Sequence, residues 1–454
     1  MDLNVCSLTD VLAIAEIHPF YNREREYPPD ASAIQVAREQ AAEQSSEVDP
    51  KYFPLLWKKH LYATIERLVD DTSSENTCTT SQSLGALFFA TDTEENRRLR
   101  ARYSQFLRET GVVTTEDWIL TVNKATGQRR SWDLAIVETL ENAGAYVLSA
   151  GDWASSGDVS KVLAKYHINV LTGDSSQILQ IVHHISTAPR QERNRINLHK
   201  IIYTSEVLTP AQRSYIGLVL GPIKICSMFA NAEAGPWAAS NPDVTREDTS
   251  TGSVDLIFDT RTMLIEIFSS TCTEDDSSIP NPLPDGEQGL VVQTSLARLK
   301  NPLVRYVTGD VGSLHSIPNR ARNLLPKTSW HHFRILRVTG RDRRISFKWD
   351  GRYIELEDLA SFMGAESAIL QWQVILGKMK LSQDSLLEVR VLCVTQDRGI
   401  ISTQKAISDR ITTFLHVYDL NSHMFRLKFV ESVDGFERSG TECKVFIDRY
   451  SGPE

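Results

Sequence analysis

The chain has 454 residues, of which 41% are hydrophobic and 24% charged, and its formal net charge is -9. This composition is typical of a soluble globular protein, and the length exceeds one compact core and predicts two or three domains. The acidic balance argues against a nucleic-acid surface, and no apolar run reaches the length of a membrane span. The N-terminus lacks a basic segment followed by an apolar one, so a cytoplasmic protein is expected.

The cysteine pattern predicts neither a zinc site nor a disulfide framework. The six cysteines are scattered, with no C-x-x-C pair and no histidine at metal-ligand spacing. We therefore expect most of them to be small buried hydrophobic residues.

The first half of the chain alternates between predicted helices and strands. Helical periodicity covers residues 31–47 and 93–112, and residues 70–82, which are rich in Ser and Thr, predict a loop between them. Short apolar strands with helical segments between them follow at Trp118–Val122, Ala145–Ser149, Asn169–Thr172 and Lys200–Thr204. This order predicts a parallel sheet covered by helices on both faces, with ligands at the carboxyl ends of the strands.

A β-rich region is predicted next. Alternation at Ser253–Phe258 and Thr262–Phe268 predicts a β-hairpin, and Leu290–Thr294 has the composition of a buried strand. Leu303–Val307 predicts a further strand that ends at Thr308-Gly309-Asp310. A carboxylate at a strand end is well placed to accept hydrogen bonds from the hydroxyls of a ligand.

The chain from Tyr353 onward predicts the order β-α-β-β-α-β. The strands are expected at Leu370–Ile375, Leu387–Val394 and Phe425–Phe429, and a helix at Ile401–His416. This order predicts a small α+β domain at the C-terminus.

Two of these stretches resemble a known family. Residues 289–310, which read GLVVQTSL and then PLVRYVTGD, are similar to the segment "GELVVTTL…PLIRYRTGD" of the adenylate-forming enzymes. QWQVI at 371–375, followed by LEVRV at 387–391, resembles a segment of the phenylacetate-CoA ligase branch. The resemblance implies an α/β fold with a large N-terminal domain at 1–339, made of helix-covered parallel sheets and a β-rich subdomain. It also implies a small α+β C-terminal domain at 340–454 that swings about a hinge.

The resemblance also assigns roles to single residues. Asp310 would hold the ribose of ATP, Phe229 would stack on adenine, and Glu233 would bind Mg²⁺. The other nucleotide-binding candidates are loop and hinge residues, and they are Ser81, Ser83, Gly85, Ser205, Glu206 and Arg341. Lys444 is the candidate for the catalytic cation, although Glu442 stands at or next to the position where the family has its lysine. A solvated surface charge is the alternative role for Lys444.

The phosphate-binding loop departs from the family pattern. Gln82 replaces a glycine, Leu84 a threonine and Ala86 the lysine that would balance phosphate charge, whereas the hydroxyls of Ser81 and Ser83 remain. Phosphate cradles need converging backbone N–H groups and a cation. A plain Ser/Thr loop therefore stays open as an alternative at this position.

Two functions follow from the resemblance. The first is ATP-dependent activation of an aromatic or mid-sized carboxylic acid as an acyl-adenylate, with ATP and Mg²⁺ as cofactors and transfer to coenzyme A, another thiol or an amine. The second is a repurposed adenylate-forming scaffold that has lost ATP-dependent adenylation and binds or condenses a preformed substrate. Small molecules are the expected partners, without nucleic acid or membrane, and a homodimer stays open.

Overall fold

The computed structural model describes residues 6–22, 25, 29–43, 49–57, 60–61, 64–65, 78–79, 88–89, 93–122, 130–150, 155–204, 207–231, 233–245, 253–273, 281–342, 346–350, 352–379, 385–394, 400–439 and 442–449. The helices are α1 (Leu8–Glu16), α2 (Ala31–Glu43), α3 (Thr93–Glu109), α4 (Arg130–Asn142), α5 (Ser156–Lys165), α6 (Ser175–Thr187), α7 (Arg190–Arg193), α8 (Pro210–Leu220), α9 (Leu356–Ala365) and α10 (Ile400–Phe414).

The strands form one large sheet and several small ones. They are β1 (Cys78–Thr79), β2 (Phe88–Phe89), β3 (Trp118–Thr121), β4 (Tyr146–Ser149), β5 (Val170–Asp174), β6 (Lys200–Thr204), β7 (Lys224–Asn231), β8 (Gly235–Ser240), β9 (Val254–Asp259), β10 (Met263–Phe268), β11 (Gly289–Ser295), β12 (Tyr306–Ser316), β13 (Phe333–Arg341), β14 (Ser346–Trp349), β15 (Arg352–Glu355), β16 (Ile369–Lys378), β17 (Ser385–Cys393), β18 (Phe425–Val430), β19 (Arg438–Ser439), β20 (Glu442–Cys443) and β21 (Phe446–Asp448). None of the described helices has the length and apolar character needed to cross a membrane.

The predicted α/β class is confirmed. The large sheet has the order β10-β11-β12-β13-β9-β8-β7-β6-β5-β3-β4. Its β4-β3-β5-β6-β7 part is parallel, and α6 packs on one face of it in a core with Leu120 and Ile201. On the other face α3 and α4 pack in a second core with Ile119 and Ile202. Alternate residues of each strand therefore pack into two different cores, as expected for a sheet with helices on both faces.

The β-rich part continues the same sheet with antiparallel strands, and here the predicted hairpin is wrong. Both strands exist, but β9 pairs with β8 and β13, whereas β10 pairs with β11 at the edge of the sheet. Only residues 260–262 join β9 to β10, a link that reaches about 14 Å. Because β11, β12 and β13 lie between the two strands in the sheet order, this part of the sheet has to curl back on itself.

Arg305 fixes the entry into β12. Its side chain is 1% exposed and makes two hydrogen bonds to Glu266 on β10, of 3.0 and 2.9 Å. The guanidinium also donates to the carbonyl of Phe53 at 3.3 Å, and the Arg305 carbonyl accepts from the N–H of Leu56. The backbone of Arg305 has a φ of 52°, a conformation that a non-glycine residue keeps only where its surroundings enforce it. One side chain thereby joins the N-terminal segment to two strands.

The N-terminal arm is anchored beside Arg305. The Tyr21 hydroxyl donates to the carbonyl of Val304 at 2.9 Å and accepts from its N–H at 2.6 Å. The apolar face of α1 packs in a core with Phe53 and Val304. His18 is fully buried in this arm, and its Nδ1 accepts the N–H of Phe20 at 3.2 Å.

The C-terminal strands form a sheet of order β18-β17-β16-β21, with α9 and α10 packed in its core. One side of this unit contacts the large sheet's helices. Leu370, Leu392, Val433 and Phe436 belong to the same buried core as Ile178 on α6. Gln212 on α8 donates to the carbonyl of Leu370, and Gln180 donates to Asp434 at 3.2 Å.

We expect the substitution Arg305→Met to lower the free energy of unfolding by about 3–5 kcal/mol, because Glu266 is left in a mostly buried position without its cation. Urea denaturation followed by fluorescence measures this. Arg334→Met is the matched control, because Arg334 and Asp285 form a pair whose side chains are 31% and 58% exposed, and its loss should be below about 1 kcal/mol. Equal losses in the two variants would contradict the role of Arg305.

We expect stability to fall with acidification through His18. Burial lowers the pKa of His18 from its usual 6.5 to about 3. Between these values the unfolded chain binds a proton that the folded chain does not, so folding stability decreases as pH falls below about 6.5. The contribution at pH 5 relative to pH 8 is about 2 kcal/mol.

The measurement is urea denaturation at pH 8 and pH 5 for the wild type and for His18→Gln. The variant should lose this part of the pH dependence. His423→Gln, which changes an exposed histidine, should keep the wild-type difference. A His18→Gln variant with the full wild-type slope would remove His18 as its source.

Candidate functional site

The turn between β7 and β8 carries Glu233. Asn231 ends β7 and its Oδ1 accepts the backbone N–H of Ala234 at 2.9 Å, which closes the turn. Gly235 then begins β8 with a φ of +78°, and a Cβ there would lie 2.8 Å from the side chain of Leu99 and 3.2 Å from Arg298. Glycine is therefore required at the position that follows the acidic turn.

Glu233 is 4% exposed and is held by Tyr306, the first residue of β12. The Tyr306 hydroxyl donates to Oε1 of Glu233 at 2.9 Å. Arg298 lies beside the same turn, where its Nε donates to the carbonyl of Ala234 at 3.3 Å. Arg298 is only 5% exposed, so a buried guanidinium binds the residue that directly follows the buried acid.

A buried amide pair extends this cluster. Nδ2 of Asn231 donates to Oε1 of Gln293 at 3.0 Å. Gln293 lies on β11 directly across from Tyr306 on β12, and it is fully buried. Four polar side chains, namely Asn231, Glu233, Gln293 and Tyr306, thus meet where β7, β11 and β12 approach each other. We call them the Glu233 cluster.

Asp310 does not stand at a strand end, so that prediction is wrong. β12 runs through it from Tyr306 to Ser316. Gly309 has a φ of +80°, and Oγ1 of Thr308 accepts the N–H of Asp310 at 3.0 Å while donating to the carbonyl of Val291. These contacts absorb a local kink without ending the strand, and they leave Asp310 only partly buried.

The structure brings two predicted residues together at this kink. Asp310 and Arg341, the last residue of β13, are direct cross-strand partners. The N–H of Asp342 donates to the carbonyl of Gly309 at 2.9 Å. The end of β13, where the chain leaves the large sheet for the C-terminal elements, therefore lies beside Asp310.

Phe229 lies two residues before Asn231 on β7 and is partly buried. Its ring meets Trp237 edge to face, with 5.5 Å between ring centroids. The register of β7 and β8 shifts here, because Phe229 pairs with Ala238 and Ala230 with Pro236. Trp237 is the extra residue of this β-bulge, a feature that re-aims a side chain.

Lys444 belongs to the C-terminal unit, between β20 and β21, and is partly buried. Its carbonyl accepts from Nε2 of Gln373 at 2.9 Å. The same amide donates to the carbonyl of Glu437 at 2.7 Å and accepts the N–H of Glu437 at 2.8 Å. Gln373 therefore fixes the backbone around Lys444 to the small sheet.

The remaining predicted residues cannot be placed. Ser81, Ser83 and Gly85 of the phosphate-binding loop and Ser205 and Glu206 after β6 lie outside the described residues. Their assignments stay predictions.

Sequence reasoning missed Tyr306, Asn231, Gln293 and Arg298. Tyr306 lies within the segment that carries the family resemblance, and its position four residues before Asp310 was a usable signal. A contact between positions 73 residues apart, such as that of Tyr306 with Glu233, is not visible in one sequence. For Gln293 the signal was a polar residue inside an otherwise apolar strand, Leu290 to Thr294.

The cluster is chemically suited to a nucleotide with its metal. No group of three or more acidic, histidine or cysteine side chains among the described residues could hold a metal by protein ligands alone. Mg²⁺, however, is commonly bound by one or two carboxylates together with substrate phosphates and water. Glu233 fits that pattern.

A separate cavity of about 540 Å³ lies in the C-terminal unit, where its lining includes Trp349 and Phe414.

Comparison with solved structures identifies the fold. The chain superimposes on 2-hydroxyisobutyryl-CoA ligase in the postadenylation state, in complex with R3-HIB-AMP, with a TM-score of 0.62, 15% identity and coverage of 96% of this chain and 87% of the ligase. The open conformation of that ligase gives a TM-score of 0.54 at 17% identity, covering 97% and 90%. The thioesterification state gives 0.53 at 16% identity, covering 97% and 87%.

The chain thus has the fold of the adenylate-forming ligases, with a large N-terminal part and a smaller C-terminal part. No protein-family model matches it, and no curated protein matches it. At these identities the likeness establishes the fold and not the activity.

We expect Tyr306→Phe to lower the free energy of unfolding by roughly 1–3 kcal/mol, because Glu233 loses a buried hydrogen bond without gaining access to water. Urea denaturation measures the change. Tyr52→Phe serves as the control, since the Tyr52 side chain is 72% exposed, and it should leave stability unchanged. An unchanged free energy of unfolding in Tyr306→Phe would mean that the hydrogen bond to Glu233 does not stabilise the fold.

Proposed function

We propose that the protein is an ATP-dependent ligase that activates a carboxylic acid as an acyl-adenylate and transfers the acyl group to a thiol or an amine. One observation carries the proposal: β12 bears both the tyrosine that holds the buried Glu233 and, four residues further, Asp310. Tyr306 lies opposite Gln293 and Val311 opposite Leu290, three residues of β11 or about 10 Å apart, so one nucleotide could contact both acids, the ribose at Asp310 and the metal-bound phosphates at Glu233. The fold shared with acyl-CoA ligases supports the same reading.

In the proposed reaction a carboxylate oxygen of the substrate attacks the α-phosphorus of ATP, and the bond from that phosphorus to the pyrophosphate oxygen breaks. Mg²⁺, when bound, would neutralise phosphate charge. The thiol or amine then attacks the acyl carbonyl, AMP leaves with the bonding electrons, and the nucleophile's proton is lost. The protein's part would be positioning: Asp310 would accept hydrogen bonds from ribose hydroxyls, Phe229 would offer its ring to adenine, and Glu233 would hold the metal.

The finer assignments belong to the same proposal. The similarity of the sequence segments to the phenylacetate-CoA ligase branch favours an aromatic or mid-sized acid, with coenzyme A as the thiol acceptor and the cytoplasm as the location. Residues 1–339 would form the catalytic domain and residues 340–454 a mobile domain that brings Lys444 to the reacting phosphate. Ser81, Ser83, Gly85, Ser205, Glu206 and Arg341 complete the proposed nucleotide site.

The test is incubation with ATP, Mg²⁺ and a panel of carboxylic acids, with pyrophosphate release and hydroxamate formation as readouts. We expect Asp310→Ala to weaken ATP binding by about 10- to 100-fold, since each hydrogen bond to a charged acceptor contributes about 1.5–3 kcal/mol. Asp285→Ala is the control, because the Asp285 side chain is 58% exposed. Isothermal titration with ATP measures both variants, and unchanged affinity in Asp310→Ala would remove this residue from the site.

A repurposed scaffold is the second candidate, and the sequence of the phosphate-binding loop favours it. Gln82, Leu84 and Ala86 stand where the family has glycine, threonine and lysine, and Glu442 stands at or beside the catalytic lysine position. A positioned charge or donor contributes roughly 3–4 kcal/mol to a transition state, so the loss of both lysines would slow adenylation strongly. Absence of pyrophosphate release across the panel, together with no thermal shift by ATP, would select this candidate.

A further inference from the structure

The Glu233 cluster contains a hydrogen-bond donor whose orientation is fixed by the backbone. The N–H of Ala234 can only donate, so the atom of Asn231 that receives it must be the amide oxygen. The other amide atom of Asn231 is then a nitrogen, and its partner on Gln293 must be the amide oxygen. A flip of either side chain would place two donors or two acceptors against each other. This chain of contacts identifies the remaining amide atom of Gln293 as the nitrogen, Nε2, which is a donor.

That donor is enclosed and has no acceptor among the described residues. Gln293 is 0% exposed, so bulk water does not reach its amide nitrogen. An unsatisfied buried N–H is costly and uncommon, and it calls for an occupant such as a trapped water or a ligand. The acceptor that satisfies Gln293 has to lie inside the protein.

A second enclosed donor lies in the same part of the core. Nε1 of Trp237 also has no acceptor among the described residues, and its side chain is 3% exposed. Trp237 and Tyr306 share one buried cluster, and Trp237 contacts Phe229. Trp237 on β8 and Gln293 on β11 therefore each carry an enclosed N–H group, the first beside Phe229 and the second in a side chain that contacts Asn231 and lies opposite Tyr306.

The position of Gln293 indicates which part of a ligand would meet it. Gln293 on β11 pairs with Tyr306, which begins β12 and contacts Glu233. Asp310 lies further along β12, next to Val311, which pairs with Leu290. Gln293 is then at the end of the proposed site away from the ribose, where the acid is activated. Within the proposed site the phosphates are matched with the metal at Glu233, so an oxygen of the acyl group is the partner left for the amide donor of Gln293.

We infer that the acyl substrate carries an acceptor oxygen, such as a ketone, ether, amide or hydroxyl oxygen, in addition to its reacting carboxylate, and that Gln293 binds this oxygen. The inference rests on the proposed function and narrows its substrate class. Gln293 is then a specificity residue. A site with a buried donor discriminates against a substrate that lacks the matching acceptor, because binding would leave the donor unpaired.

The experiment compares pairs of carboxylic acids that differ only by replacement of an ether or ketone oxygen with CH₂. The readout is kcat/KM from pyrophosphate release with ATP and Mg²⁺. For at least one pair, the wild-type protein should prefer the oxygen-bearing acid by about tenfold or more, the equivalent of one hydrogen bond. In Gln293→Met, which has similar length and no donor, this ratio should fall to near one.

Two further variants sharpen the test. Gln293→Glu keeps an acceptor for Asn231 while removing the amide donor, and it should also reduce the ratio. Gln288→Met makes the same change as Gln293→Met at an exposed position just before β11, and it should retain the wild-type ratio. If Gln293→Met does not fold, Gln293→Glu tests the same role of Gln293, and absence of any preference in the wild type overturns the inference without a variant.

Failure of the inference differs from failure of the proposed function. Pyrophosphate release without preference in any pair would mean that Gln293 binds a trapped water, and it would overturn the inference alone. A preference that survives Gln293→Met would also overturn the inference. So would weaker ATP binding by that variant in the absence of any acid, because the acceptor of Gln293 would then be on the nucleotide. No release with any acid would remove the proposed function and this inference with it.

Discussion

The buried contact between Arg305 and Glu266 is the constraint on which the arrangement of β12 depends. β12 lies between β11 and β13, and its first residues receive contacts from the N-terminal segment as well as from β10. The left-handed backbone of Arg305 turns the chain into the strand, so that the next residue, Tyr306, points its hydroxyl at Glu233. A lysine could not replace this arginine, because the planar fork bonds both oxygens of Glu266 at once. The position of Tyr306 in the candidate site thus depends on the Arg305–Glu266 ion pair, which lies outside the site.

The Glu233 cluster is rigid for a related reason. Defined hydrogen bonds hold its side chains: Asn231 accepts from Ala234 and donates to Gln293, and Tyr306 donates to Glu233. Such networks give a unique arrangement when they are satisfied, and they are costly where one atom is left over. Here the atoms without a partner are Nε2 of Gln293, a member of the cluster, and Nε1 of Trp237, whose ring contacts Phe229. Rigidity of this kind favours selection among ligands more than tolerance of many.

Much of the fold could be predicted from the sequence, because local patterns encode it. The strands at 118–121 and 200–204 and the helices at 156–165 and 175–187 follow from apolar runs and helical periodicity, and the structure confirms them. The predicted hairpin was wrong because alternation identifies strands but not their neighbours, and here a short turn joins two strands that a curled sheet separates. The predicted strand end at Asp310 was wrong because Gly309 and Thr308 relieve the backbone within the strand.

The site itself was only half accessible to sequence reasoning. Glu233 and Asp310 could be proposed because similar segments surround them. Their partners could not, because Tyr306 reaches Glu233 and Asn231 reaches Gln293 across separations of 73 and 62 residues, which only the completed sheet determines. Buried polar atoms without acceptors, such as Nε2 of Gln293, are a property of packing and have no local sequence signature.

The contact between the C-terminal unit and α6 and α8 has an energetic consequence for any large motion of that unit. Leu370, Leu392, Val433 and Phe436 lie in a core shared with α6, and Gln212 bonds the backbone of β16. Moving the unit away would return these four apolar side chains to water, at roughly 1.5–3 kcal/mol for each fully exposed one. Thermal fluctuation alone would populate such a state rarely. A ligand that binds the displaced arrangement more tightly would have to supply this free-energy difference. The unit would therefore move only when the ligand's binding free energy is large enough.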